Sequence, residues 1–247
     1  MDAARHEKKA VSFIRGIFRA AGRKNAIVGL SGGLDSAATL CLCVRALGRR
    51  HVVAVLMPSA STPAQDMSDA RALARKLCVK MVTFPIKRVI SSFGYLASSR
   101  FGRANLSARV RMAALYAMAR QHNCLVVGTG DKSEFMLGYF TKHGDGGADL
   151  FPLGGLYKTQ VQKLAHHIGV PAKIADKPPS PALWKGQTAE KELGFSYEIA
   201  DAILAAIEKK QSRAALSKKF GKKLVRAIFL RMEKNSHKLA PAPVCKF

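Results

Sequence analysis

The sequence has few acidic residues and no long apolar run. Asp and Glu together number 16 against 41 Lys and Arg, which gives a formal net charge of +25. No stretch approaches the roughly 20 apolar residues that a membrane-spanning helix needs, so no bilayer span is predicted. The amino terminus lacks the apolar segment and the small-residue cleavage site of a signal peptide. A cytoplasmic location is the simplest expectation.

The cysteines provide neither a disulfide framework nor a zinc site. They form no Cys-x-x-Cys pair and no spacing typical of zinc ligands. We expect most of them to be buried thiols in a reducing compartment. They are Cys41, Cys43, Cys78, Cys124 and Cys245.

The excess of positive charge makes polyanions the natural partners. A field of this sign attracts ATP, dinucleotides, nucleic acid and acidic membranes. The basic residues are spread along the chain and not gathered in a tail, which favours a solvated basic surface. We therefore expect no specific nucleic-acid partner, while nonspecific binding at low salt follows from the charge.

Strand-like and helix-like segments alternate along the first half of the chain. The predicted strands lie near residues 26–30, 51–57, 79–84 and 124–127. The predicted helices cover residues 4–21, 37–47, 64–77 and 105–122. This alternation predicts an α/β fold in which helices cover both faces of a parallel, Rossmann-like sheet.

The second half has a different pattern. Residues 140–190 are rich in Gly, Pro and Asp and predict long functional loops. Residues 196–232 predict a helical carboxy-terminal part. Since repeats and low-complexity linkers are absent, we expect a single domain over residues 1–247.

Residues 31–36, with the sequence SGGLDS, lie between the first predicted strand and the next helix. Glycines at 32 and 33 let backbone N–H groups approach an anion, and a helix N-terminus adds partial positive charge. No Gly-Lys-Ser/Thr follows, so the segment is not a Walker loop. Residues 128–130 follow the fourth predicted strand, and both loops fall at the carboxyl ends of strands, where one shared ligand cleft is expected.

Residues 31–36 resemble the pyrophosphate-binding loop of ATP pyrophosphatases, which cleave ATP between its α and β phosphates. Residues 138–149, GYFTKHGDGGAD, are a more specific motif and resemble the NAD synthetase family. The same resemblance extends over about residues 8 to 243, including segments 177–180, 183–184, 186–188, 192–194 and 237–238. It implies a fold of the adenine nucleotide alpha hydrolase type.

The resemblance implies three sites. Asp35 and Glu134 would bind Mg²⁺, consistent with the preference of this ion for carboxylates, phosphates and water. The ATP-contacting positions would be Gly29, Leu30, Ser31, Gly32, Gly33, Leu34, Asp35, Ser36, Thr129, Lys158 and Ser180. The positions that contact deamido-NAD would be Arg109, Lys142, Asp149, His237 and Lys238. No residue is assigned as a general acid or base, because this chemistry depends on positioning and charge stabilisation.

The implied reaction is the ATP-dependent amidation of deamido-NAD by ammonia, the last step of NAD biosynthesis. The nicotinate carboxylate attacks the α-phosphorus of ATP and pyrophosphate leaves; ammonia then attacks the acyl-adenylate and AMP leaves. Some relatives add a glutaminase domain, but the residues before the first predicted strand are too few for one. We therefore expect no such domain, and free ammonia or a separate protein that delivers it as the nitrogen source. The resemblance also implies a homodimer with substrate sites near its interface.

Two other interpretations stay open at this point. The chain could be another ATP pyrophosphatase, such as a GMP synthetase core or a tRNA-modifying thiolase, for which the positive charge would suit tRNA. It could also be a basic nucleic-acid-binding protein that kept the fold, which predicts loss of Asp35 or Glu134, yet both are present. Residues 138–149 match neither alternative enzyme. One departure from the NAD synthetase pattern is Leu239, where a basic residue commonly follows the His-Lys pair.

Overall fold

The computed structural model describes residues 2–184 and 186–245. The strands are Asn25–Gly29 (β1), Val52–Leu56 (β2), Lys80–Thr83 (β3) and Cys124–Val127 (β4). The helices of the first half are Ala3–Ala20 (α1), Leu34–Leu47 (α2), Ala64–Lys76 (α3), Lys87–Ser91 (α4) and Arg100–His122 (α5). Those of the second half are Lys132–Leu137 (α6), Lys158–His167 (α7), Ala172–Ala175 (α8), Ala189–Leu193 (α9), Tyr197–Glu208 (α10), Arg213–Phe220 (α11) and Lys222–Asn235 (α12). Short 3-10 helices cover Arg49–His51, Gly94–Ala97 and Ser236–Lys238.

The strands form one parallel sheet in the order β3-β2-β1-β4. Val28 of β1 lies opposite Ala54 on one side and Val127 on the other. Each strand is followed by helical segments before the next strand begins, as parallel pairing requires. All four strands therefore end at the same edge, which is where ligands bind in such sheets.

Helices cover both faces of the sheet. Ala26 and Val28 point into a core built with α1, α2, α3 and α7. Ile27, between them, points to the opposite face and packs with α4 and α5. This alternation along one strand is the geometry of a sheet buried on both sides. The predicted α/β class is confirmed.

The carboxy-terminal helices form a second apolar cluster. Residues of α9, α10, α11 and α12 pack together and against α6, with Ile203, Leu216 and Ile228 fully buried. This cluster packs against α6, and α10 also contacts α7, so it positions two of the helices whose side chains line the cleft. The predicted helical carboxy-terminal part is confirmed.

Some predicted boundaries were wrong for local reasons. Helix α5 begins five residues before the predicted start because Ser99 caps it, its Oγ accepting a hydrogen bond from the backbone N–H of Gly102 at 2.9 Å. Helix α2 begins at Leu34, so that Asp35 lies in its first turn. The segment 140–190 contains helices α7 and α8 and the first two residues of α9 in addition to loops.

The structure also bears on the predictions about membrane spans and cysteines. In the part of the chain that the structure describes, no helix is both long and apolar enough to cross a membrane. The cysteines are free; Cys41, Cys43 and Cys124 are buried, while Cys78 and Cys245 are exposed. Burial raises the pKa of the Cys41 thiol to about 11, which is typical of an inert core thiol.

Candidate active site

A glycine-rich turn joins the end of β1 to the start of α2. Gly33 occupies the N-cap position of α2 and no side chain caps the helix, so its first N–H groups are open to a ligand. The hydroxyl of Ser36 donates to the carbonyl of Gly33 at 3.0 Å and lies 3.0 Å from the hydroxyl of Ser31. These bonds fix the turn around an uncapped helix N-terminus, which suits an anionic group.

Gly32 has no room for a side chain. Its φ is +87°, and a Cβ there would lie 2.1 Å from the carbonyl oxygen of Asp66. Lys177 links the glycine turn to the same part of α3. Its Nζ lies 3.1 Å from the Gly32 carbonyl oxygen, 2.7 Å from Asp66 Oδ1 and 3.1 Å from Asp69 Oδ2. The turn is thus held against the N-terminal part of α3 by backbone fit and by one ammonium group.

A buried lysine joins three carboxylates beside this turn. The Nζ of Lys158 lies 2.8 Å from Asp35 Oδ2, 2.8 Å from Glu134 Oε1 and 3.0 Å from Asp131 Oδ2. Lys158 is 4% exposed and Asp131 is fully buried. Since Asp35 belongs to α2, Asp131 and Glu134 to α6 and Lys158 to α7, this cluster ties three helix N-termini together at the carboxyl ends of β1 and β4.

Local sequence signals place these side chains. Asp131 and Glu134 form a capping box at the start of α6: Asp131 Oδ1 accepts from the N–H of Glu134 at 2.8 Å, and Glu134 Oε2 accepts from the N–H of Asp131 at 3.3 Å. The backbone N–H of Lys158 donates to the hydroxyl of Ser133 at 3.0 Å. The hydroxyl of Ser133 in turn donates to Asp201, which fastens the cluster to α10.

Burial and charge shift the pKa values within the cluster. Burial raises the pKa of Glu134 and of Asp131; Lys158 offsets part of this rise, and the neighbouring carboxylates add to it. Burial also lowers the pKa of Lys158, but Asp131, Asp35 and Glu134 outweigh it and hold that pKa well above its usual value. The lysine therefore stays charged while it separates mutually repelling carboxylates.

Two carboxylate oxygens of the cluster lack a hydrogen-bond donor. Asp35 Oδ1 and Asp131 Oδ2 are both buried and without one, although Asp131 Oδ2 lies at ion-pair distance from Lys158. Within residues 2–184 and 186–245, no group of three or more His, Cys, Asp or Glu side chains is arranged to hold a metal ion. The protein thus offers at most a partial ligand set, in which oxygens of a bound ligand or water would have to complete the coordination shell.

The cluster forms one wall of a cleft of about 470 Å³. The glycine turn, Thr129 and Lys158 line one part of it, and Arg111, Arg231 and Lys238 line another. Phe135 and Phe140 also line the cleft and contact each other edge to face, with ring centroids 5.5 Å apart, and Phe135 contacts Phe151 in the same way at 4.9 Å. The cleft combines an uncapped helix N-terminus, carboxylates, cations and apolar walls, as a nucleotide site requires.

The predicted ATP positions converge on this cleft. Ten of the eleven line it, and Gly32 supports the turn from behind. Ser180 is fixed by its own loop, its hydroxyl donating to the carbonyl of Gln187 at 2.6 Å. Both predicted metal ligands, Asp35 and Glu134, also line it.

The predicted dinucleotide positions are more dispersed. Lys238 lines the cleft, but its Nζ donates to the carbonyls of Gly138 and Phe140 at 2.7 and 3.0 Å. Three further positions form a ridge outside the cleft lining: the guanidinium of Arg109 donates to the carbonyl of Lys142, and Lys142 Nζ donates to the carbonyl of His237 at 2.7 Å.

Asp149, the fifth predicted dinucleotide position, also lies outside the cleft lining. It is exposed and accepts hydrogen bonds from the hydroxyl of Tyr116 at 3.1 Å and the N–H of Val126 at 2.7 Å. In this structure the carboxylate therefore ties α5 to β4.

Four residues of the cleft and of the carboxylate cluster beside it had no predicted role. Asp131 could have been found, because Asp at 131 and Glu at 134 have the spacing of a capping box. Lys177, Arg111 and Arg231 carry no such local signal. Arg231 lies with its guanidinium carbon 5.2 Å from the ring centroid of Tyr139, and its Nε is buried without a partner.

The chain was compared with known proteins. Residues 7–242 match a family model described as NAD synthase. The chain is 46% identical to the NH(3)-dependent NAD(+) synthetase of Hyperthermus butylicus over 94% of its own length and 87% of that protein. It superposes on the NMN synthetase of Francisella tularensis with a TM-score of 0.90 and 34% identity, and on the NH3-dependent NAD synthetase of Campylobacter jejuni with 0.86 and 29%, each over 100% of both chains.

Proposed function

The chain belongs to the NAD synthase family, and we propose that the cleft at the carboxyl ends of its strands is where the family's reaction takes place. That reaction is the ATP-dependent amidation of deamido-NAD by ammonia, which yields NAD, AMP and pyrophosphate. The chain is accordingly a ligase that forms a C–N bond.

One observation supports this proposal most strongly. Lys158 and the carboxylates of Asp35 and Glu134 meet within 2.8 Å beside an uncapped, glycine-rich helix N-terminus. A triphosphate held by that turn would place its charged oxygens against the lysine. The turn would hold the leaving pyrophosphate, and Thr129 and Ser180 would contact the remainder of ATP.

The residues contribute charge stabilisation more than proton transfer. When the nicotinate oxygen bonds to the α-phosphorus and the bond to the β-phosphate oxygen breaks, negative charge develops on the departing pyrophosphate. The uncapped N–H groups at the start of α2, together with Lys158 beside them, would stabilise this charge. Ammonia then attacks the acyl carbon of the adenylate, and AMP leaves with the bonding electrons.

Asp35 and Glu134 fit a magnesium site in which oxygens of a bound ligand or of water complete the coordination shell. The buried, unpartnered Oδ1 of Asp35 is available to a hard cation, and both side chains line the cleft. Mg²⁺ bound there would offset charge on the phosphates of ATP. Lys158, which contacts both carboxylates in this structure, would supply a further positive charge beside the phosphates.

The dinucleotide has a suitable path out of the cleft. Its nicotinate end would enter between the glycine turn and Lys238, and its adenylate end would extend over the ridge formed by Arg109, Lys142 and His237. Asp149 would contact the dinucleotide further along α5, because its partner Tyr116 lies two helical turns from Arg109 on the same face of that helix. The ammonium of Lys238, which donates to backbone carbonyls in this structure, would donate to a substrate oxygen instead.

The same cleft suits a second candidate substrate. The superposition on the Francisella protein, which is titled as an NMN synthetase, favours nicotinate mononucleotide as an alternative acyl substrate. That substrate carries the same carboxylate but lacks the adenylate half, so it would not use the ridge. We favour deamido-NAD because the curated relatives with higher identity are NAD synthetases.

A homodimer would cover an exposed apolar face. Tyr95 and Leu96 are 85% and 70% exposed, and Phe93 and Phe101 nearby are 41% and 54% exposed. These exposed apolar side chains lie together, whereas exposed apolar residues on a monomeric protein are normally scattered singly. Phe101 contacts Trp184 at 5.5 Å between ring centroids, and both line the cleft, so an interface here would adjoin the substrate site.

Free ammonia is the proposed nitrogen source, and a single domain is the proposed organisation. Both rest on the resemblance to ammonia-dependent relatives and on the single sheet that the described residues form. A cytoplasmic location agrees with the free cysteines, because a reducing compartment keeps thiols unpaired.

The proposal is tested by supplying purified protein with ATP, magnesium and ammonium, together with either deamido-NAD or nicotinate mononucleotide. We expect NAD and AMP in equal amounts, with kcat/KM for the dinucleotide well above that for the mononucleotide. A preference for the mononucleotide would assign the second function. ATP turnover that depends on xanthosine monophosphate or tRNA instead would refute both. Glutamine in place of ammonium should give no NAD.

A further inference from the structure

The amino ends of the strands form an edge that has only cationic charges. We define the amino-end edge as residues 19–24, 48–51, 76–80 and 120–123, which lead into β1, β2, β3 and β4. These segments contain no Asp or Glu. Their Lys and Arg residues are Arg19, Arg23, Lys24, Arg49, Arg50, Lys76, Lys80 and Arg120, together with His51 and His122.

These cations are free to meet a ligand. All eight are exposed except Arg23, which is half-buried, and none of them forms an ion pair with another residue in the described ranges 2–184 and 186–245. Glu7, the acidic residue of α1, contacts Arg45 and His167 through its carboxylate. The positive field at this edge is therefore not neutralised by neighbouring carboxylates.

Helix dipoles explain only part of the pattern. Helices α1, α2, α3 and α5 end at this edge, and a cation in the last turn stabilises each of them. That accounts for Arg19, Lys76 and Arg120. It does not account for the remaining cations, which lie beyond the helices: Arg23, Lys24, Arg49, Arg50 and Lys80.

The edge also has a concave part. A cavity of about 300 Å³ opens between α1 and the start of β2, and cationic or titratable side chains line most of it. One of them is held in place: Arg15 donates through Nε to the carbonyl of Ala46 at 2.9 Å and through Nη2 to that of Arg45 at 3.1 Å. The lining cations are Arg15, Arg19, Arg23 and Lys24, and His51 also lines the cavity.

We propose that the amino-end edge binds the phosphate backbone of nucleic acid. The strand order β3-β2-β1-β4 spreads its four segments over three strand spacings, or about 15 Å. The same length of duplex DNA presents about nine phosphates. A row of cations on this scale contacts several phosphates at once, which a small anion cannot match.

Other polyanions fit this surface less well. Binding to a lipid surface is strengthened by apolar side chains that insert beside the cations, and the centre of a protein interface is more apolar than its rim. The large exposed apolar side chains of the described chain lie outside the four edge segments, with Phe13 of α1 on the same helix as Arg15. The active-site cleft opens at the opposite ends of the strands, so both ligands can be bound together.

The test compares two variants that remove equal charge. The edge variant carries Lys24→Gln, Arg50→Gln and Lys80→Gln; the control variant carries Lys218→Gln, Lys222→Gln and Arg226→Gln on the exposed surface of α11 and α12. Binding to a fluorescent duplex of about 20 base pairs is measured by anisotropy between about 50 and about 200 mM KCl. For the edge variant we expect a slope of log K against log salt that is shallower by about 2.7, which corresponds to three lost phosphate contacts.

The control variant should keep most of the wild-type slope, and both variants should form NAD at the wild-type rate. Equal losses in the two variants would assign the binding to net charge and overturn the proposal. So would displacement of the duplex by about 1 mM ATP or pyrophosphate, which would mark a site for small phosphates, or preferential binding to vesicles of acidic lipid. Failure of NAD formation in the wild type would refute the proposed function and leave this result unaffected.

Discussion

At the carboxyl ends of the strands, Lys158 and Lys177 each contact two or more carboxylates, whereas the cations at the amino ends face solvent. The same sheet thus has one end where charges are paired and buried and another where charges of one sign are exposed. Paired, buried charges define positions, because a misplaced partner is costly there. Exposed charges of one sign create a field that acts at longer range and is weakened by salt. The comparison separates the residues that perform chemistry from those that give the chain its net charge.

The largest effect is expected for Lys158→Met. Removing the ammonium leaves Asp35, Asp131 and Glu134 without their shared cation, and breaking a buried ion pair in this way costs about 3 to 5 kcal/mol. NAD formation should fall below detection. Urea unfolding measures the loss of stability, and product analysis measures the loss of NAD formation. Lys24→Gln is the matched control, and a similar loss of stability in that variant would remove the distinction between the two ends.

Asp35→Ala should lower kcat/KM by about 100-fold or more while the fold is kept, since it removes a proposed magnesium ligand and one partner of Lys158. Circular dichroism and steady-state kinetics over a range of magnesium concentrations measure both. Asp176→Ala removes an exposed carboxylate that contacts only His166 and Gln162, and it should behave like the wild type. Full activity of Asp35→Ala at low magnesium would show that the assignment is wrong.

Gly32→Ala tests whether the turn itself must keep its shape. A Cβ at 2.1 Å from the Asp66 carbonyl oxygen, in a backbone with φ of +87°, should destabilise the protein by about 1 to 3 kcal/mol and raise KM for ATP. Thermal unfolding and ATP titration are the measurements. Gly155→Ala is the control, because an added Cβ there meets nothing within 4 Å. If the two substitutions have the same effect, the tight fit against α3 does not control nucleotide binding.

The smallest effect is expected at the amino-end edge. The triple variant Lys24→Gln, Arg50→Gln and Lys80→Gln should change the free energy of unfolding by less than about 0.5 kcal/mol per site, because no ion pair is lost. Its kcat/KM for ATP should equal that of the wild type at low and at high salt, because the edge lies at the opposite ends of the strands from the cleft. A clear fall in kcat/KM at low salt would mean that the two ends cooperate in one function.

Most of the fold could be predicted because it follows from local patterns. The four strands are short apolar runs, and the glycine turn is visible as residues 31–36 between a strand and a helix. The helix starts were less accurate: Leu34 and Ser99 begin or cap helices through bonds that the apolar spacing does not reveal.

The site was only partly predictable, because its geometry depends on distant contacts. Lys158 meets Asp35 across 123 residues, and no sequence pattern shows that a buried lysine will hold three carboxylates. The hydrogen bonds of Lys142 and Lys238 could not be predicted either, since both side chains donate to backbone carbonyls about 100 residues away. The excess charge was plain in the composition, but the row of cations at the amino ends of the strands becomes visible only when the strand order is known.

The most direct test of the central claim is to follow an oxygen atom. Deamido-NAD labelled with ¹⁸O in its nicotinate carboxylate would be converted with ATP and ammonium, and the AMP and pyrophosphate analysed by mass spectrometry. Attack of the carboxylate on the α-phosphorus at the glycine turn predicts one labelled oxygen in each AMP and none in pyrophosphate. Unlabelled AMP, or formation of ADP with labelled phosphate, would contradict the account.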